Sequence, residues 1–286
     1  MQTQLWGFLK PTMIGIPSAR GPNMPGIRPG VKLGILLLAL VIVSALLEAQ
    51  VLQHFKHDVG QTVAPVFEGW EPNPDGTFSL YFGYMNRNYK ETLDIPIGPS
   101  NKFEPGVPDR GQPTHFLTRR QKNTFRVVVP KTFGSQTLVW TLSIQGRTET
   151  VPGSIKPQYE INTLKDSLTG NTPPVVKAGP DHIVSSLSTK LTVEVTDDGL
   201  PKRGEKPSAV TVEWSKYRGV GEVTFDPSSQ PVADGRAITT ATFSAPGAYV
   251  IRAVANDGSI GGTACCWTNA QLVVTVKSAS ERGGAP

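Results

Sequence analysis

From residue 173 onward the chain alternates short runs rich in Val, Ile, Thr and aromatics with clusters of Gly, Pro, Asn and Asp, at a spacing of about 8–12 residues. Nothing else constrains the fold as much. Strands this short need hydrogen-bonded neighbours, and each buries its apolar face only if two sheets close on one another. Runs at 190–196, 210–216, 221–225, 238–243, 249–255 and 271–277 predict six strands of one β-sandwich. No stretch carries three turns of amphipathic helix, so the expected class is all-β.

The preceding hundred residues follow the same grammar. At 77–85, Phe78, Leu80, Phe82 and Tyr84 alternate with Ser79, Tyr81 and Gly83, the period-two pattern of a half-buried strand. Further strands are expected at 92–97, 123–130, 137–145 and 148–151. These place a first β-sandwich module at 65–164, behind a linker at 50–64. A second linker at 165–172 meets the next domain at Asn171-Thr-Pro-Pro174, a stiff joint where consecutive prolines favour extended backbone. The second domain then covers 173–277, and a disordered tail is expected at 278–286.

The uncharged run at 33–47 has 15 residues, with Arg28 and Lys32 before it and Glu48 after it. A spanning helix needs about 20 apolar residues, whereas the core of a signal peptide needs roughly 7–15. Residues 1–49 therefore read as a signal peptide cleaved after Ala49. An N-terminal membrane anchor is the alternative, because Leu47 is larger than the residue usual three places before cleavage. Initiation at Met24 would give the leader an ordinary length.

The formal charge is +5, and removing residues 1–49 leaves 24 basic and 22 acidic residues, a net of +2. So small a surplus argues against nucleic acid as a partner. Contact with a membrane is expected only through the N-terminal segment, if it is uncleaved.

Four landmarks of the second domain fall in order: Pro-Pro-Val-Val-Lys-Ala-Gly-Pro-Asp at 173–181, Val-Thr-Asp-Asp-Gly-Leu-Pro at 195–201, Glu-Trp-Ser at 213–215, and Phe-Ser-Ala-Pro-Gly-Ala-Tyr-Val-Ile-Arg-Ala-Val-Ala-Asn-Asp-Gly at 243–258. On these residues the domain resembles the polycystic-kidney-disease (PKD)-like group of bacterial extracellular immunoglobulin-like modules. The resemblance implies a buried Trp214, a tyrosine corner at Tyr249, and Ile251 in the place of a core cysteine. The first domain is similar to a module of uncharacterised secreted bacterial proteins through its segments at 82–88, 95–106, 109–116 and 139–142. That similarity implies export and β-structure and brings no activity with it. The expected architecture is two tandem immunoglobulin-like β-sandwiches after an N-terminal hydrophobic leader.

Asp197, Asp198, Asn256 and Asp257 lie in Asp-Asp-Gly and Asn-Asp-Gly turns that a sandwich brings to one end. Their oxygens either converge on Ca2+ or simply make the turns. Cys265 and Cys266 are adjacent, so neither forms the usual bridge between sheets. Free thiols, a vicinal disulfide, and a soft-metal or intermolecular contact all stand as readings. Trp267 follows them directly before the last strand, and the loop end at 197–205 and 256–266 is the leading binding surface.

Arg119, Arg120 and Lys122 with His115 form a basic cluster in an expected loop, suited to an anionic polysaccharide or lipid headgroup. His54 and His57 make a His-x-x-His pair without a third ligand. Glu68, Glu71 and Asp75 crowd around Trp70 but form no defined acid pair. No Gly-x-Ser-x-Gly, His-Glu-x-x-His or phosphate-binding glycine loop occurs, so no catalytic residues and no enzyme are expected.

The function expected is that of a non-catalytic exported interaction or structural module at the cell envelope, whose partner is another envelope or extracellular protein, or a polysaccharide. The alternatives are a carbohydrate-binding module stacking sugars on Trp70, Tyr89 or Trp267, and a subunit assembling through an open sheet edge.

Overall fold

Period-two alternation becomes two sheet pairs along the chain. The structure is a computed structural model and describes residues 56–161, 170–200, 202–203, 206–207, 209–258 and 266–278, all within one unit, Lys56–Pro286. The leader, His54, Cys265 and most of the second linker lie outside the described residues, as do 259–264 of the expected binding end and the tail beyond Ser278.

The first half contains β1 (Val63–Pro72), β2 (Phe78–Asn86), β3 (Leu93–Asp94), β4 (Asn101–Glu104), β5 (His115–Phe116), β6 (Arg119–Val129), β7 (Leu138–Ile144) and β8 (Arg147–Gly153). Sheet β1-β2-β6 faces sheet β4-β7-β8, while β3 pairs with β5 at the side. Aromatic rings fill the space between the sheets. Phe82 and Phe125 meet Phe103 and Trp140 across the core, with Phe125 and Trp140 edge to face at 5.0 Å. Such pairs add about 0.5–1.5 kcal/mol each beyond burial. The only regular helical turn among the described residues is a 3-10 turn at Pro157–Tyr159.

The strand at β1 has no counterpart in the sequence reading, and it begins at Val63 rather than after residue 65. Pro65, Gly69 and Pro72 disguise it, and a bulge between Phe67 and Gly69 breaks its alternation.

In the second half come β9 (Val175–Ala178), β10 (His182–Val184), β11 (Ser188–Thr196), β12 (Lys202–Arg203), β13 (Lys206–Pro207), β14 (Thr211–Gly219), β15 (Val223–Asp226), β16 (Ser229–Pro231), β17 (Arg236–Phe243), β18 (Gly247–Asn256) and β19 (Trp267–Val276). A five-stranded sheet, β10-β19-β18-β14-β16, packs on a four-stranded one, β15-β17-β11-β9, and β12 pairs with β13. This is the two-sheet order of an immunoglobulin sandwich. All six strands read from sequence are present. Their core is mainly aliphatic, built on Leu191, Val193, Val212, Ile251, Leu272 and Val274, with Trp214, Phe243 and Tyr249 among them.

Trp214 is buried, as expected, and Tyr249 donates its hydroxyl to the carbonyl of Ala245 at 2.7 Å, closing a tyrosine corner. At the end of β14, Gly219 takes φ +151, and a Cβ there would stand 2.2 Å from the Tyr249 ring, so the corner requires glycine.

Trp267 is the first residue of β19 rather than part of a loop before it. The basic cluster also changes character: His115 is buried in β5, and Arg119, Arg120 and Lys122 open strand β6 instead of occupying a loop. Arg119, Arg120 and Gln121 pair directly with Asn86, Met85 and Tyr84 of β2, beyond a register shift between Phe82 and Tyr84.

Candidate functional site

The functional geometry lies on the outer face of the five-stranded sheet. Along β18, Ile251, Ala253 and Ala255 point into the core, so alternation sends Arg252, Val254 and Asn256 outward. On β14, Glu213 and Ser215 share that face, as do Trp267, Asn269 and Gln271 on β19. A register shift between Lys216 and Arg218 breaks the alternation of β14. Tyr217 and Arg218 are thereby aimed at the first half.

Tyr217 leaves its own sandwich and joins the aromatic core of the other, where it is 2% exposed. Its hydroxyl donates to the Gly111 carbonyl at 2.6 Å, and its carbonyl accepts from the Thr114 amide. Burial pushes its phenol well above the ordinary tyrosine range. Arg218 grips Asp109 with both Nη atoms, at 2.9 and 2.8 Å, and donates from Nε to the Gln112 carbonyl. The Arg218 guanidinium holds the Asp109 carboxyl below its usual value. Farther along, Asn269 donates to the Asn123 carbonyl at 2.8 Å.

His115 sits at the same joint. Its Nδ1 is 2.9 Å from Asp94 Oδ1, an oxygen that also lies 3.5 Å from Lys216 Nζ. Burial lowers the His115 pKa, aided by the Lys216 charge and opposed by Asp94 and Glu222.

Beyond these contacts the two halves part into a cleft of about 370 Å³. Arg120, Gln121 and Lys122 line it from the first half, and Glu213, Arg252 and Trp267 from the second. Arg252 is 6% exposed. Its Nε donates to Asn269 Oδ1 at 2.7 Å and its Nη1 approaches Gln121 Oε1 at 3.5 Å. Among the described residues no carboxylate lies within ion-pair distance of it, and desolvation lowers its pKa. Arg120 is paired with Glu68 at 2.7 Å, whereas Lys122 is exposed. Trp267, Arg120 and Lys122, read from sequence as parts of separate surfaces, thus line one cleft. Arg119 does not join them. It stacks on Tyr89, with its guanidinium 3.8 Å from the ring centre.

The acidic turns serve mainly the entry into the second sandwich. Buried Asn171 donates to Asp257 Oδ2 at 3.0 Å, and Thr172 donates from its amide and hydroxyl to Asp198 Oδ2. Asn256 and Asp197 accept from the amides of Gly258 and Gly199. Burial raises the Asp197 pKa, with Asp198 and Asp257 adding repulsion. Among the described residues no group of three or more His, Cys, Asp or Glu is placed to hold a metal ion. Cys266 is buried and disulfide-bonded, and its Sγ lies 3.6 Å from the Asn171 carbonyl oxygen. The chain's other cysteine, Cys265, lies outside the described residues.

Of the other aromatics, Trp70 is buried with its indole donating to the Lys156 carbonyl, and is closed to sugars. Glu71 is buried against Tyr81, Glu68 is taken up by Arg120, and Asp75 caps the turn at Thr77.

No family model matches the chain. Among solved structures, a conjugative transposon lipoprotein from Bacteroides eggerthii aligns over 35% of this chain and 96% of its own, at 13% identity and a TM-score of 0.25. The D0-D1 domain of intimin aligns over 76% of this chain and 98% of its own, at 13% identity and 0.24. Fibronectin(III)-like modules of Clostridium thermocellum CbhA align over 77% and 96%, at 16% identity and 0.23. Likeness at this level says nothing of what this chain binds, and the fold rests on its own strand pairings.

Proposed function

We propose that this protein is a non-catalytic, exported structural and interaction module of the cell envelope, in which two sandwiches are locked into one rigid body. The lock between the sandwiches supports this role. A tyrosine from one sandwich completes the core of the other, and a bidentate Arg–Asp pair fixes its angle. A freely jointed pair has no use for such a plug, whereas a spacer or a presenting scaffold needs a fixed angle between its parts.

Export is supported by the apolar run at 33–47 with its basic flank. Assignment of the second sandwich to the PKD-like group is supported by the order of its landmarks and its tyrosine corner. The partner is an envelope or extracellular protein, or a polysaccharide. The absence of any recognised catalytic motif in the sequence supports the non-catalytic reading.

Small-angle scattering tests the lock. The two sandwiches are expected to fit a single relative arrangement, and Tyr217→Ala combined with Arg218→Ala is expected to broaden it into an ensemble. A wild-type profile that already requires an ensemble would overturn the reading. Cell fractionation tests export, which fails if the chain stays in the cytoplasm.

A further inference from the structure

A guanidinium taken out of water is expensive unless an anion or several good acceptors receive it. Arg252 has two amide oxygens, one of them at 3.5 Å, and no carboxylate within ion-pair distance among the described residues. It borders a cleft that exposed Lys122 also faces. Arg120 contributes there too, although Glu68 has already answered its charge. Counting Arg120, Lys122 and Arg252 against Glu213 and Glu68, the cleft keeps a positive surplus.

The rest of the lining is not that of a simple anion hole. Half-buried Trp267 offers an aromatic surface, and Ser215 and Glu213 offer hydroxyl and carboxylate groups for neutral hydroxyls. At about 370 Å³ the space falls within the range of small-ligand pockets, roughly 300–1,000 Å³.

We infer that the cleft between the two sandwiches binds an acidic sugar residue of a polysaccharide, with its carboxylate on Arg252 and Lys122 and its ring against Trp267. A uronate uses every part of the lining: cations for the carboxylate, Glu213 and Ser215 for ring hydroxyls, and indole for the apolar ring face. An acidic peptide would use only the cations. The inference rests on the docked pair proposed above, because each sandwich supplies part of the lining.

The test is isothermal titration of the whole chain with an oligogalacturonate, beside its neutral galactose counterpart and a glutamate-rich peptide. The uronate is expected to bind at least about tenfold more tightly than either control. Arg252→Met, which keeps the volume and removes the charge, is expected to weaken uronate binding by about tenfold or more. Trp267→Ala is expected to weaken the uronate and leave any residual peptide binding unchanged. Uronate binding that survives Arg252→Met overturns the proposal, as does preference for the peptide or for the neutral sugar. No binding by a chain whose scattering fits one conformation overturns the ligand and leaves the docked pair standing. An undocked chain overturns both.

Discussion

Two arginines lie on strands that run side by side in one sheet, and they meet opposite fates. Arg218 is fully answered, with Asp109 on both Nη atoms and the Gln112 carbonyl on Nε. Arg252, on the neighbouring strand, is buried more deeply and, among the described residues, answered only by amide oxygens. The same chemical group therefore closes the junction at one end and leaves it open at the other. Burial without a counter-charge marks a place where something is held, whereas a satisfied pair marks a place where the protein holds itself.

The largest effects are expected at the closed end. Truncating Tyr217 to Ala empties a site in the aromatic core and should cost about 3–5 kcal/mol in denaturant unfolding. Tyr217→Phe keeps the ring and loses the Gly111 hydrogen bond, and should cost only about 1 kcal/mol. Equal losses for the two variants would mean that the ring does not plug the first core. Arg218→Ala should cost about 1–2 kcal/mol, discounted because Asp109 is half exposed. Asp109→Ala should lose a similar amount, and the double variant should lose less than the sum.

At the open end the sign should differ. Arg252→Met removes a buried charge that no carboxylate among the described residues answers, so melting should hold steady or improve by up to about 1 kcal/mol. A loss like that of Arg218→Ala would erase the distinction between the two arginines.

A smaller effect is expected from pH. The His115 pKa is below its ordinary 6.5, so the unfolded chain binds more protons than the folded one in the window between the two values. Stability is then present above about pH 6.5 and is lost as pH falls through that window. Denaturation midpoints measured between about pH 7.5 and 5 should fall, and His115→Gln should flatten the slope. An unchanged slope in that variant would clear His115 of the effect.

How much of this was legible in sequence depended on how local each feature is. The six second-half strands are written in neighbouring residues and could be read directly, while the buried Trp214 and the Tyr249 corner followed from the resemblance that the local landmarks carry. Alternation likewise places Arg252 opposite Ile251. What it does not reveal is that the surface beyond Arg252 is another sandwich, because Gln121 and Asn123 lie far away in the chain. The plug was hidden for the same reason. The one local signal was Tyr217 following Lys216 out of step with the Val212 and Trp214 alternation, a break in period two that here is a bulge. Strand β1 was hidden by its own prolines, and the basic cluster was misplaced because charged residues at the start of β6 look like a loop when their partner Glu68 is unknown.

Scanning calorimetry of the whole chain most directly tests the claim that the sandwiches form one body. A single transition is predicted, with calorimetric and van't Hoff enthalpies equal, and Tyr217→Ala with Arg218→Ala should split it in two. Two resolved transitions in the unaltered protein would show that each sandwich unfolds independently and would contradict the account.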